Sequence, residues 1–259
     1  MPAFLLFSLW APLAAMGDVA VGERRTGLER PGKSAVLGLV AAALGIDRTE
    51  EAALRALHDG YGLAVRVDTP GTLVTDFHTA QVQPARRGRR WPTRRAELAR
   101  PKPGEPELET VLSWREYRAD ARFTIALWPR RAAPRPLAEL EQALRRPVHT
   151  LYLGRKACPL GAPPAPVIVE APTLSEALAV HDRHCRPGID TVLPRPQAVA
   201  APAVYADIEP EGEARLELGP GLTPHHRRMR RDDPISRRRW QFRLREEQVA
   251  RTVPPGDPS

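Results

Sequence analysis

Hydrophobic residues near the start of the chain first form an uninterrupted run and then recur at the spacing of a helix. The apolar run Ala3–Trp10 predicts a buried strand. An apolar stripe at helical spacing then begins near Ser34, which we assign as the N-cap, and stops at Gly45. A shorter helix is predicted over residues 49–60 because acidic residues occupy its first turn, and residues 62–68 predict a second strand.

The periodic pattern is lost between residues 70 and 109, where proline, glycine and arginine are frequent. A connection of this length inside a compact domain is usually functional or disordered. Alternation returns within residues 111–128 and predicts a strand. An amphipathic helix is predicted over residues 137–146 and a short strand over residues 149–153. This order of elements predicts an α+β, ferredoxin-like (RRM-like) fold with a long insertion.

The pattern weakens beyond residue 159, although Val167–Glu170 predicts another strand. Thr173 and Glu176 form a capping box, which predicts a helix that runs to about Asp182. A proline-punctuated loop is predicted over residues 187–202.

The chain of 259 residues is 42% hydrophobic and can bury a real core. We predict that the chain has three parts. The first is a ferredoxin-like domain at 1–158 with an insertion at about 72–110. A mostly β C-terminal extension with a basic hairpin follows at 159–253, and a disordered tail at 254–259.

A targeting segment is the alternative interpretation of the apolar start. It lacks a basic leader, and Pro12 interrupts a stretch too short to span a bilayer, so we favour a buried strand. Two cysteines provide neither a disulfide framework nor a zinc set. We therefore expect a cytoplasmic protein without membrane contact, cofactor or metal.

Positive charge is concentrated in two segments, residues 86–102 and 225–245, each with a local balance of +7 against a net +8 for the chain. Of the 39 basic residues, 36 are arginine, whose planar guanidinium binds phosphate bidentately. Such clustering indicates a polyanionic partner, with an arginine-rich genome composition as the alternative. Aromatic residues make up 5% of the chain, so general base stacking is not expected to be the main binding mode.

Residues 27–34 (GLERPGKS) match the P-loop pattern, which would place the lysine on nucleotide phosphates and the serine on magnesium. The context argues against this because a polar segment precedes the first glycine and Pro31 removes an amide donor from the loop. A P-loop NTPase therefore stays a remote alternative. The same helix start, flanked by Arg24 and Arg25, remains a candidate seat for an RNA phosphate.

Two histidine motifs carry possible chemistry. His181, His184 and Cys185 resemble a metal site only loosely, and a solvated helix end is the favoured interpretation. The His225–His226 pair would suit acid–base cleavage of RNA. Polar hairpin positions are the commoner meaning, because adjacent strand residues point to opposite faces.

Three stretches together resemble one family. They are residues 114–128 (WREYRADARFTIALW), residues 152–160 (YLGRKACPL) and the helix over residues 34–46. The sequence is similar to the CasD subunits of the type I-E CRISPR Cascade, which belong to a repeat-associated RNA-binding superfamily built on ferredoxin-like domains. The similarity extends from Ala3 to about residue 160, with a weaker echo at residues 231–234 and at Trp240.

The resemblance implies a non-catalytic subunit that caps the Cascade backbone and holds the five-prime handle of CRISPR RNA (crRNA). It also implies an Arg-rich thumb at about residues 72–110, inserted beside the guide. The expected partners are crRNA, the backbone and large subunits, and target DNA near the protospacer-adjacent motif. A repeat endoribonuclease is the alternative function. The basic C-terminal hairpin has RNA, the large subunit and target DNA as alternative partners.

RNA contacts are expected at the helix start, in the thumb, on one strand and in the YLGRK segment. The predicted RNA-binding residues are Arg24, Arg25, Lys33, Ser34, Arg86, Arg87, Arg89, Arg90, Arg94, Arg95, Arg115, Tyr152, Gly154, Arg155 and Lys156. Arginines and amides would bind phosphates, and Tyr152 would stack on a splayed nucleotide or else serve as a core aromatic. Arg115 has RNA and a neighbouring subunit as alternative partners.

Overall fold

The computed structural model describes residues 1–17, 22–84, 91–99, 107–184, 199, 201–236, 239 and 241–252, which form a mixed α/β structure. The helices are α1 (Lys33–Leu44), α2 (Glu51–Gly60), α3 (Arg94–Glu97), α4 (Leu137–Arg145) and α5 (Leu174–His184). The strands are β1 (Ala3–Trp10), β2 (Leu13–Ala14), β3 (Arg24–Arg25), β4 (Tyr61–Thr69), β5 (Thr72–Val82), β6 (Glu109–Ala119), β7 (Arg122–Pro129), β8 (Val167–Glu170), β9 (Ala203–Asp207), β10 (Leu222–Ser236) and β11 (Gln241–Thr252). None of the described helices combines the length and apolar character needed to cross a bilayer.

Among the described residues, seven strands form a large sheet in the order β10-β11-β9-β4-β7-β1-β8. Each neighbouring pair is antiparallel. The central strands β1, β4 and β7 are buried along almost their whole length. Because both faces of the sheet are covered at this point, β1 is a continuous apolar run without alternating polar residues.

The two faces of β1 contribute to two separate hydrophobic cores. Leu5, Phe7 and Leu9 pack into the core that includes α1 and α4. Phe4 and Leu6 pack into the core that includes α5 on the opposite face. Successive strand residues point to opposite faces, and burying one such side chain stabilises the fold by about 1.5–3 kcal/mol. The predicted first strand is therefore confirmed, and it supports both layers.

The helix ends agree with the sequence in part. The N-cap of α1 is Gly32, which provides no side-chain cap, so the assignment of Ser34 as the N-cap is wrong. The predicted stop at Gly45 is confirmed, and its φ of 77° is the left-handed conformation that glycine adopts without strain. The predicted capping box is also confirmed, because the backbone N–H of Glu176 donates to Thr173 Oγ1 at 3.4 Å.

Two sequence predictions about strands are wrong. Residues 149–153 do not form a strand in the described structure, because the N–H groups of Val148 and His149 instead donate to carbonyls at the end of α1. The next strand of the large sheet is β8, which pairs with β1. The expected irregular segment after residue 70 begins with β5, an 11-residue strand rich in the β-branched and aromatic residues that favour strands.

The proposed boundary between residues 158 and 159 stays a prediction. The strands β8, β9, β10 and β11 of the extension belong to the same sheet as β1, β4 and β7. The predicted loop at 187–202 lies largely outside the described residues, and the predicted tail at 254–259 lies wholly outside them.

A smaller sheet is centred on β6. Along one edge of β6, all eleven residues of β5 pair with it in antiparallel register. Along the other edge, β2 pairs antiparallel and β3 pairs parallel. Both edges of β6 are therefore hydrogen-bonded to neighbouring strands.

A buried network of charges fixes β9, β10 and β11 to the start of α1. At its centre Asp207, which is 5% exposed, accepts Lys33 Nζ at 2.5 Å, Arg245 Nη1 at 2.6 Å and Arg130 Nη2 at 3.1 Å. The backbone N–H of Leu63 also donates to this carboxylate at 3.2 Å. Burial alone would raise the pKa of Asp207, but the three cations outweigh it and lower that pKa.

The network continues through two further carboxylates. Asp232 accepts the backbone N–H of Lys33 at 2.8 Å and Arg245 Nε at 2.7 Å. Glu247 pairs with the buried guanidinium of Arg30. Burial, assisted by a neighbouring arginine, lowers the pKa of Arg30 to about 9. Each buried charge thus depends on a partner from a distant part of the chain.

The substitution Asp207→Asn should destabilise the protein by about 3 kcal/mol or more, because it leaves the buried ammonium of Lys33 without its carboxylate and removes one carboxylate partner from each of Arg130 and Arg245. Urea denaturation followed by circular dichroism measures the change. The matched control is Glu246→Gln, which breaks the exposed pair with Arg227 at 3.7 Å and should cost no more than about 1 kcal/mol. Equal losses in the two variants would show that the network does not stabilise the fold.

Stability should also fall as the pH drops through the range in which His58 titrates. Burial first, and the charge of Lys33 second, lower the pKa of His58 to about 4 from its ordinary 6.5. The unfolded chain therefore binds a proton near pH 6.5 while the folded chain does not, so stability is complete above pH 6.5 and is lost toward pH 4. We expect a loss of about 2 kcal/mol between pH 7 and pH 5.

The measurement is the free energy of unfolding at both pH values for the natural chain and for His58→Gln, which has no group that titrates in this range. The variant should lose less stability than the natural chain between the two pH values. Identical pH dependence in both proteins would exclude His58 as the cause.

Candidate functional site

The helix start that was predicted to seat a phosphate is already occupied by protein groups. The N–H of Lys33 donates to Asp232, and the ammonium of Lys33, which is 2% exposed, pairs with Asp207. A Cβ built on Gly32 would lie 2.6 Å from the Asp232 carboxylate, which shows how closely that group covers the turn. These contacts argue against the expected RNA contact of Lys33, which stays a prediction. Ser34 lies partly buried in the same turn, and its RNA contact stays a prediction.

The same contacts argue against nucleotide binding at residues 27–34. A P-loop lysine must reach the outer phosphates of a nucleotide, whereas the Lys33 ammonium lies inside the protein. The strand that precedes the motif, β3, is two residues long and pairs with the small sheet. The P-loop pattern is thus explained by the packing of α1 against an internal carboxylate.

The YLGRK loop, residues 152–156, is hydrogen-bonded to Ala15, the residue that follows β2. The N–H of Ala15 donates to the carbonyl of Leu153 at 3.0 Å, and the N–H of Leu153 donates to the carbonyl of Cys158 at 2.9 Å. Gly154 has a φ of 87°, and a Cβ on it would lie 1.8 Å from the carbonyl oxygen of Ala15. Close packing therefore requires this glycine independently of any RNA contact, which stays a prediction.

The loop presents polar and basic side chains at the surface. Tyr152 is 37% exposed while its neighbours Leu151 and Leu153 are buried, which rules out the alternative of a core aromatic. Lys156 is exposed. Arg155 lies with its guanidinium carbon 4.7 Å from the ring centroid of Tyr117, a cation–π geometry.

The structure brings Arg155 together with two other predicted arginines. Arg25 and Arg115 are register partners on the parallel strands β3 and β6, so their side chains lie on the same face. Tyr117 lies two residues after Arg115 on β6 and therefore shares that face. We call Arg25, Arg115 and Arg155, with Tyr117 beneath Arg155, the β6 basic face. One carboxylate residue, Asp76, is the register partner of Arg115 on β5.

Arg155 has hydrogen-bonding capacity left over. Its Nη1 is shielded from solvent and has no hydrogen-bond partner among the described residues. A buried donor without an acceptor is costly. Among the described residues no carboxylate pairs with Arg155, so its positive charge remains available to an anion.

The opposite face of the small sheet carries aromatic side chains that the sequence analysis missed. Phe77 on β5 is the register partner of Trp114 on β6, and their ring centroids lie 5.1 Å apart. Arg24 on β3 is the register partner of Trp114 on the other side. The strand-like composition of residues 72–82 was the signal that would have placed Phe77 beside Trp114.

The described arginines of the predicted thumb belong to the short helix α3. Thr93 caps this helix by accepting the N–H of Ala96 at 3.1 Å. Arg94 pairs with Glu97 at 2.7 Å, and Arg95 is exposed. The RNA contacts of both arginines stay predictions, and Arg86, Arg87, Arg89 and Arg90 lie outside the described residues.

Much of the positive charge in the C-terminal hairpin is neutralised within the protein. Arginines that pair with buried carboxylates are Arg228, Arg230, Arg243 and Arg245. Asp232 and Asp233 are already counted in the local balance of +7, but Glu247 and Asp207 lie outside residues 225–245 and pair with Arg228 and Arg245, so that balance overstates the charge that a partner would meet. Arg231 and Arg239 are exposed, whereas Arg237 and Arg238 lie outside the described residues.

The histidine motifs take positions that the sequence did not indicate. A register shift between Pro224 and His226 brings the Nδ1 atoms of His225 and His226 within 2.9 Å, so the expectation that they face apart is wrong. His181 is 1% exposed, and His184 Nδ1 lies 3.0 Å from a backbone carbonyl within α5. Cys185 is outside the described residues, and the described ones contain no group of three or more potential metal ligands.

Comparisons with known proteins agree on one family. The sequence profile of the CRISPR-associated protein (Cas_Cas5) family matches residues 4–246. The CRISPR system Cascade subunit CasD of Escherichia coli (strain K12) is 37% identical over 172 residues, which cover 63% of this chain and 70% of that protein.

Two solved structures share the fold. One, a CRISPR RNA-guided surveillance complex, contains a chain that matches with a TM-score of 0.60 and 24% identity, covering 98% of this chain and 91% of that one. The other, a crystal structure of a Cas protein, matches with a TM-score of 0.57 and 26% identity, covering 98% of this chain and 100% of that one. Since the family profile spans nearly the whole sequence, the chain belongs to the CRISPR-associated Cas5 family.

Proposed function

We propose that this protein is a subunit of a type I-E CRISPR surveillance complex that binds the five-prime handle of crRNA without cutting it. The observation that carries the proposal is the β6 basic face, where Arg25, Arg115 and Arg155 lie on one side of a fixed sheet. The similarity to a Cascade subunit of E. coli supports the same assignment. The protein would act in the cytoplasm, with Tyr152 and Lys156 beside the basic face as further handle contacts.

The architecture of the bound subunit is part of this proposal. A ferredoxin-like unit would consist of β4, β7, β1 and β8, and their antiparallel order with α1 and α4 in one core supports it. The strands β5 and β6 would form the base of the thumb. Arg94 and Arg95 on α3 would then lie between the guide RNA and the adjacent backbone subunit.

The C-terminal hairpin would bind the large subunit of the complex. Met229 and Leu244 are 57% and 50% exposed and lie near the exposed Arg231. Apolar and arginine side chains together are typical of protein interfaces, whereas a phosphate-binding surface would need more cations without internal partners. Target DNA near the protospacer-adjacent motif would then be met through the large subunit.

An endoribonuclease would need acid and base groups that converge on one phosphate. His78 lies on β5 next to Asp76, His149 follows α4, and His225 lies on β10 against His226. These histidines belong to three separate elements. A binding role without catalysis is therefore the function that the geometry supports best.

The substitution Arg155→Ala should weaken binding to the repeat-derived handle RNA about 10-fold and lower the slope of log affinity against log salt by about 0.7, because one phosphate contact is lost. Fluorescence anisotropy across a salt titration measures both quantities, with a scrambled RNA as the specificity control. Arg48→Ala removes an exposed arginine in the connection after α1 and should leave both quantities unchanged. Equal effects of the two substitutions would contradict the role of the β6 basic face.

The repeat RNA should remain intact when it is incubated with the purified protein, because His78 with Asp76 is the one histidine–carboxylate pair of the described residues that strand register places on the basic face, and acid–base cleavage needs a second such group there. Denaturing gel electrophoresis of the anisotropy samples tests this directly. Cleavage that copurifies with the natural chain and disappears in His225→Ala or His78→Ala would instead establish the endoribonuclease alternative.

A further inference from the structure

The small sheet carries a row of three side chains on the face opposite the β6 basic face. Phe77 on β5, Trp114 on β6 and Arg24 on β3 are register partners across three adjacent strands. Register partners share a face, and adjacent strands lie about 4.8 Å apart. Two aromatic rings and one cation therefore stand side by side, in that order.

The two rings are exposed although both are large and apolar. Phe77 is 52% exposed and Trp114 is 36% exposed, and their planes are tilted by 45°. Neither residue belongs to one of the hydrophobic cores of the described structure. Packing within the described residues does not account for this pair, which indicates a ligand that covers it.

The surroundings of the pair favour a small flat ligand over a protein surface. Along β5, the neighbours of Phe77 on the same face are Thr75 and Thr79, which are both exposed and polar. Across the sheet, Glu116 follows Trp114 on the same face, and its carboxylate accepts the N–H of Gly27 at 2.7 Å. Two further apolar residues of β5 and β6 share this face, the half-buried Leu112 next to Trp114 and the exposed Leu73 four residues from Phe77. The exposed apolar area is thus little more than the two rings and one leucine, whereas a stable protein interface buries roughly 1,000 Å² or more.

A nucleobase fits this area because every base has a flat face that stacks on aromatic rings. Arg24 is exposed next to Trp114, so a guanidinium is available for the phosphate of the stacked nucleotide. The carboxylate of Glu116, the nearest anion on this face, is already engaged by a backbone donor. The charge beside the rings is therefore suited to a polyanion.

We propose that Phe77, Trp114 and Arg24 form a stacking site for one unpaired base of single-stranded RNA. The ring of Phe77 and the indole of Trp114 bind the base, and Arg24 binds the adjacent phosphate. This inference rests on the proposed function for the identity of the RNA, although the stacking itself does not depend on the handle sequence. Together with the β6 basic face, the site makes RNA contact two opposite faces of one small sheet.

The test combines substitutions at Phe77 with a scan of abasic positions in the RNA. Two RNAs of equal length are used, a repeat-derived handle RNA and an unrelated single strand, and each carries one abasic nucleotide at successive positions. For the natural chain, one abasic position should weaken binding roughly 10-fold. Phe77→Leu, which keeps the apolar volume but removes the ring, should weaken binding to intact RNA by a similar factor and abolish the penalty at that position.

Two further variants separate stacking from structure. Phe77→Tyr keeps the ring and should bind like the natural chain. Val111→Ala removes an exposed apolar side chain from β6 on the other face and should not change the abasic penalty. Thermal unfolding of all variants verifies that each one is folded.

The outcomes distinguish the stacking site from the proposed function. If Phe77→Leu binds every RNA as the natural chain does, the stacking site is wrong even where handle preference persists. If Phe77→Leu leaves RNA affinity unchanged but weakens copurification with the backbone subunit, the rings contact protein and the proposal is overturned. If the coupling between Phe77 and one base appears equally in both RNAs and the handle is not preferred, the stacking site stands while the proposed handle recognition fails.

Discussion

The buried carboxylate of Asp207 is the constraint on which the rest of the structure depends. It joins cations from the start of α1, from the end of β7 and from β11, so one carboxylate connects three segments that are distant in sequence. Unpaired charges in the interior cost several kcal/mol each. The network therefore fixes the C-terminal hairpin on α1. It also places Asp232 at the N-terminus of that helix, where its carboxylate accepts the backbone N–H of Lys33.

This internal use of charge determines which surface remains for a polyanion. Because the first turn of α1 is closed by a carboxylate, the predicted handle contacts that the described structure groups together are the arginines on the small sheet and on the loop that packs against it. Arg25 and Arg115 are held by strand pairing, and Arg155 is held above Tyr117. Their positions follow from backbone register, so they are arranged before any RNA arrives. Preorganised cations lose less conformational entropy on binding than flexible ones.

Local patterns predicted the elements whose signal lies within their own residues. The apolar run of β1, the stripe of α1 with its glycine stop and the capping box of α5 were all correct. Two of the errors share one cause, which is a partner distant in sequence. Lys33 was expected at the surface because its partner Asp207 lies 174 residues away in the sequence. Residues 149–153 were expected to form a strand because the sequence does not show that the N–H groups of Val148 and His149 donate to carbonyls of α1. For the site, the sequence named the arginines but not Tyr117 or Phe77, since their pairing required the register of β5 and β6.

The arginine content of a segment is consequently a poor guide to where a nucleic acid binds. Residues 86–102 and 225–245 carry the same local charge in the sequence, yet in the second segment Arg228, Arg230, Arg243 and Arg245 pair with carboxylates of the protein itself. The β6 basic face has fewer arginines, and among the described residues one carboxylate, Asp76, lies in register with them. The attraction felt by a phosphate depends on the charge left after internal pairing and on how rigidly it is held. By that criterion the small sheet, rather than either arginine-rich segment as a whole, is the part of the described structure best suited to RNA.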